Sequence, residues 1–135
     1  MRGNVTFRCK LPMDLDTHPP GEELAIYIAD KMTQAGLKTR VVDNYEDFAW
    51  WLESESELRM PWALLGYVED GPAEWLIQIN SGVSWIGRLF GCSETVGQQV
   101  FADQLHAVLS GEDNFSDIRW HVGHWSDSGW SSSPD

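Results

Sequence analysis

From Asn4 to Leu11 the chain alternates strictly, with Val5, Phe7, Cys9 and Leu11 on one parity and Asn4, Thr6, Arg8 and Lys10 on the other. A two-residue period is that of a strand with one buried face. After a Pro-bounded stretch, Pro12 to Pro20, the period changes: Leu24, Tyr27, Ile28, Met32 and Ala35 fall at helical spacing. Glu22 and Glu23 suit the first turn of that helix, Lys31 its end, and Gly36 its C-cap. A second helix is placed after Ser93, whose hydroxyl suits an N-cap, with Phe101, Leu105, Val108 and Leu109 as its core stripe and Gly111 as its stop.

Between the helices the pattern predicts strands. Lys38–Asp43 and Glu46–Leu52 are read as two, joined through Asn44–Tyr45, the second with Phe48, Trp50 and Leu52 alternating against Asp47, Ala49 and Trp51. Glu53 to Glu57 offers no core residue and is read as a solvated loop. Pro61–Val68 is apolar on both parities, which predicts a central strand. Glu69-Asp70-Gly71-Pro72 has turn chemistry, so Ala73–Asn80 becomes its hairpin partner. Ser81–Gly91, with three glycines, is read as an irregular connection, and Asp117–Gly123 as a last strand. The order β-α-β-β-β-β-α-β predicts an α+β two-layer sandwich, a mostly antiparallel sheet with both helices on one face. An enlarged ferredoxin-like βαββαβ plan accounts for that order. One domain over 1–125 and a mobile Ser, Asp, Gly and Pro tail over 126–135 complete the expectation.

Composition narrows the function classes. Of 135 residues, 42% are hydrophobic, enough for one ordinary core. Nine Lys+Arg against 21 Asp+Glu give a net charge of −12, which opposes binding to phosphate backbones, so nucleic acid is not the expected partner. No apolar run approaches the ~20 residues that span a bilayer, and the first 20 residues lack the apolar segment of a secretory signal. A cytoplasmic location and no membrane association are therefore expected. Cys9 and Cys92 have no paired spacing and are expected as thiols.

Two features stand out as candidate chemistry. Eight tryptophans are many for a core this small; Trp51, Trp85, Trp125 and Trp130 are the hardest to place inside, and exposed aromatics serve interfaces. The segment from Asp43 to Glu57 carries six carboxylates without a cation. Its bland reading is a solvated face; its sharper one notes Tyr45, Phe48, Trp50 and Trp51 set among the acids. Charge would steer a basic partner while rings supply the buried contact. The candidate partner-binding set is Asp43, Tyr45, Glu46, Asp47, Trp51, Glu53, Glu55 and Trp85. Catalytic and metal signatures are absent: His121 and His124 form an HxxH that diverges on a strand, and no nucleophile elbow or phosphate loop is present. No cofactor is expected.

With Tyr45–Leu52, Trp62 and Trp85 set among acids in an α+β order, the whole chain resembles the small acidic immunity proteins that bacteria pair with secreted toxins. The resemblance implies stoichiometric inhibition by covering a toxin's active site, and it assigns no residue a role. The alternative expectation is a small-ligand module with a pocket lined by Trp62, Trp75, Gln78, Asn80 and Trp85. A small hydrolase using carboxylates and His121, and a homodimer built on the exposed tryptophans, also stay open.

Overall fold

The structure, a computed structural model, describes residues 2–11, 20–46, 48–55, 60–68, 75–82, 94–122 and 129–134. In chain order the elements are β1 (Asn4–Cys9), α1 (Glu22–Gln34), β2 (Thr39–Tyr45), β3 (Ala49–Ser54), β4 (Met60–Tyr67), β5 (Trp75–Gly82), α2 (Glu94–Ser110) and β6 (Phe115–His121). The strands form a six-stranded sheet in the order β2-β3-β4-β5-β1-β6, every neighbouring pair antiparallel. The chain is thus a two-layer α+β fold, and the β2–β3 hairpin, inserted between α1 and β4, extends the sheet at one edge. Among the described residues no helix is long and apolar enough to cross a membrane.

The buried parity of each strand meets the helix stripes. Val5 and Phe7, Leu52, Ala63 and Leu65, and Trp75 and Ile77 lie under Leu24, Ile28 and Met32 of α1 and Phe101, Leu105 and Leu109 of α2. Both stripes are those the helical spacing predicts. The opposite strand parity forms an outer face. Along it the register places Trp51 opposite Leu64 and Leu64 opposite Gln78, and places Glu53 opposite Trp62 and Trp62 opposite Asn80.

α1 is fixed at both ends by glycine. Gly36, at φ 108°, closes the C-terminus with its own N–H bonded to the Thr33 carbonyl and the Leu37 N–H bonded to Met32, the paired closure that needs a left-handed residue. Gly21, at φ 107°, precedes the first turn. Along its length the helix touches elements at both ends of the sheet: Ile26 and Ala29 line a groove with β2, while the Tyr27 ring lies 6.1 Å from Phe115 of β6.

Two expectations are corrected. The turn between β2 and β3 falls at 46–48, not Asn44–Tyr45: Tyr45 still pairs with Ala49, Glu46 takes φ 49°, and the Phe48 N–H reaches the Tyr45 carbonyl at 3.2 Å. The Tyr45 and Phe48 rings meet edge-on across the turn at 5.6 Å, a contact that replaces the strand alternation expected of Phe48. Glu53 belongs to β3 and not to a loop, held by pairing with Arg40 and Trp62. The described part of the tail, 129–134, lies against the body of the protein. Ser131 exchanges both backbone bonds with Trp120 at 2.8 and 2.9 Å, Pro134 accepts from the Arg2 N–H at 2.9 Å, and Trp130 lies over the Arg119 guanidinium at 4.8 Å. A sheet edge is recognised through the backbone, whatever the side chains.

Candidate functional site

The β2–β3 hairpin collects most of the predicted partner-binding residues, but on two different surfaces. At its tip, Phe48 is 58% exposed and stacks on half-buried Tyr45, with Asp43 and Glu46 exposed beside them. The Asp43 carboxylate accepts the Asn44 N–H at 2.7 Å, and neither Asp43 nor Glu46 is ion-paired among the described residues. Further along, the acids are neutralised. Arg40 of β2 meets Glu53 at 3.4 Å and Lys38 meets Glu55 at 3.3 Å. Both cations precede the acidic segment in sequence, so only strand pairing reveals that the run is compensated away from the tip. Asp47 and Trp85 lie outside the described residues.

Trp51 does not join the tip. It points to the outer face, 5.7 Å from Trp62 between ring centroids, with its indole N–H buried and without an acceptor among the described residues. Of the residues expected to line a ligand pocket, Trp62, Gln78 and Asn80 share this outer face. Trp75 does not: it is 1% exposed on the opposite side, under the start of α1 and 5.1 Å from Tyr67. Its strand parity, shared with Ile77 and Ile79, puts it in the core.

A second surface was not foreseen. Between α1 and β2 runs an open groove of about 610 Å³, with Ile26 and Val42 among its walls and Ala29, Val41 and Trp50 among its remaining lining residues. Ile26 and Val42 are 45% and 39% exposed, and Glu22, Asp30 and Asp43 join them in lining it. The signal in the sequence is faint but present. Ile26 is an apolar residue off the core stripe, with Glu22 and Asp30 one turn to either side, on the same helix face. The exposure of Val42 comes from a bulge: the register shifts between Val41 and Asp43, so Val42 has no partner on β3.

His121 is 3% exposed and its Nε2 lies 2.9 Å from Thr6 Oγ1, a sheet contact across β1 and β6. Among the described residues no group of three His, Cys, Asp or Glu side chains could hold a metal. Cys9 is half-buried against the core, and His124, Trp125 and Cys92 lie outside the described residues. No family model matches this chain, and comparisons with curated proteins and with solved structures find no significant similarity.

Proposed function

We propose that the chain is an acidic binding protein whose β2–β3 hairpin engages a basic protein. The observation that carries this reading is the tip itself: exposed Phe48 against half-buried Tyr45, flanked by the carboxylates of Asp43 and Glu46, which have no ion pair among the described residues. Rings of this kind provide the desolvated anchor of an interface, while surrounding charge raises the rate of encounter. The net charge of −12 adds a long-range field of the same sign. The resemblance to immunity proteins makes the partner a secreted toxin, held in the cytoplasm and inhibited by occlusion of its active site.

The test is capture of the partner at low and high salt followed by association kinetics. Attraction between exposed charges is screened beyond about 8 Å at physiological ionic strength, so binding should weaken as salt rises. Replacing Asp43 and Glu46 together by Lys should slow association about tenfold or more at low salt, with the dissociation rate less affected. An unchanged on-rate removes the hairpin from the interface.

A second reading is favoured by the outer face. Trp51 and Trp62 form an aromatic pair on the outer face, with Asn80 opposite Trp62 in the register. That arrangement suits a polar ligand with a flat or C–H face, such as a nucleobase or a sugar. It predicts tryptophan quenching and a raised melting temperature with the ligand, both insensitive to Asp43 and Glu46.

A further inference from the structure

We infer that a basic, extended segment of the partner docks in the groove between α1 and β2 and adds to the sheet as a strand beside β2. The inference rests on the reading of the partner as a basic protein, and it specifies the chemistry and geometry of its recognition.

The sheet's two edges are treated differently. The β6 edge is occupied by the chain's own Ser131, which exchanges both backbone bonds with Trp120. β2, the other edge, pairs among the described residues with β3 alone. Its beginning is closed by a side chain: the Thr33 hydroxyl accepts the Thr39 N–H at 3.0 Å and lies 3.1 Å from the Thr39 carbonyl. From Val41 onward no further strand lies beside β2 among the described residues, and alternate N–H and C=O groups of an edge strand point outward. Such groups are satisfied together only by another extended chain, which is why strand addition is a recurring mode of peptide recognition.

The groove next to that edge states what the chain should carry. Ile26 and Val42 present apolar surface at its rim, fit for one aliphatic side chain of the incoming segment. Glu22, Asp30 and Asp43 supply three carboxylates with no ion pair among the described residues. Arg40, the one cation lining the groove among the described residues, lies 3.4 Å from Glu53. Lysines or arginines spaced around a central aliphatic residue are the complement. A second copy of this chain is disfavoured as the occupant, because it would bring two surfaces of charge −12 together. The bulge at Val42 also confines regular pairing to a short stretch, which accommodates a brief segment and resists long edge-to-edge association.

The experiment uses the full chain, isotope-labelled, and a capped ten-residue peptide of alternating Lys and Val as probe. Two controls accompany it: the same peptide N-methylated on alternate backbone nitrogens, and an alternating Glu and Val peptide. Binding of the Lys-Val probe at low salt, with amide-exchange protection in β2 from Val41 to Asp43 and shifts of the Ile26 and Val42 methyls, is the expected result. The N-methylated probe and the variant Glu22→Lys with Asp30→Lys should each bind at least tenfold more weakly, and the Glu-Val peptide not at all. Shifts confined to Tyr45 and Phe48, with β2 unprotected, overturn strand addition and leave the basic-partner reading standing. No binding by the Lys-Val probe, or equal binding by the Glu-Val peptide, overturns both. Protection of β2 without any peptide, in a chain that sediments as a dimer and becomes monomeric on Ile26→Glu, assigns the edge to a second copy and overturns the inference.

Discussion

Replacing Gly21 by Ala tests the packing that seats α1 on the sheet. A Cβ at this position would stand 2.7 Å from Cζ3 of Trp75, and 3.3 Å from the next ring carbon. Ordinary contact begins near 3.4 Å, so helix or ring must retreat by several tenths of an ångström. Trp75 is 1% exposed and backed by Tyr67 at 5.1 Å, and forced overpacking of this kind costs about 1–3 kcal/mol. The backbone adds its own term, since φ 107° is left-handed and a side chain there costs about 1–2 kcal/mol. Loss of glycine's freedom in the unfolded chain returns about 0.4–1 kcal/mol. The net expectation is a destabilisation of about 1–4.5 kcal/mol, centred on ~3 kcal/mol, measured by urea unfolding as a lower midpoint at unchanged slope. For a chain of this size that corresponds to a drop in Tm of roughly 10 °C. In a Trp75→Phe background, where the ring that clashes is smaller, Gly21→Ala should cost only about 1 kcal/mol, the backbone part. A cost below 0.5 kcal/mol in the native background, on the order of an ordinary surface change, or an equal cost in both backgrounds, would refute the argument.

Two more predictions follow from the edges of α1. Thr33→Val removes the hydroxyl that accepts the Thr39 N–H and donates to the Ala29 or Thr39 carbonyl; it should cost about 1–2 kcal/mol, and exchange of the Thr39 amide should accelerate. Tyr27 donates to Glu112 Oε2 at 2.6 Å, while Lys31 meets the other oxygen at 3.3 Å. The bond to Glu112 raises the phenol's pKa above 10.0, with desolvation and the carboxylate's charge acting in the same direction. The folded chain therefore keeps this proton after the unfolded chain has released it, so the stability it contributes is complete below pH 10 and is lost as pH rises through the higher folded value. Tyr27→Phe should abolish that loss, and unfolding curves from pH 9 to 11.5 that decline identically in both proteins would contradict it.

The elements themselves were legible in the sequence because each is dictated by a local period: Val5 and Phe7 at spacing two, Leu24, Ile28 and Met32 at spacing four, Phe101, Leu105 and Leu109 likewise. Gly36 as a stop follows from the same local chemistry, as does the element order from which two layers were expected. The acid-rich hairpin was also visible, since runs of charge among aromatics need no partner to be seen. Tertiary structure alone decided which of those charges count. Lys38 and Arg40 reach Glu55 and Glu53 only across the β2–β3 ladder, so the run is neutral along the strands and acidic at the tip. It divided the tryptophans as well, turning Trp75 into the core and Trp51 and Trp62 outward, because strand parity assigns a face only once the helices have chosen one. And it set α1 beside a β2 edge left unpaired among the described residues, while Ser131 pairs with β6. Backbone groups on a strand edge are alike in every sequence, so which edge is left unpaired is a property of the assembled sheet.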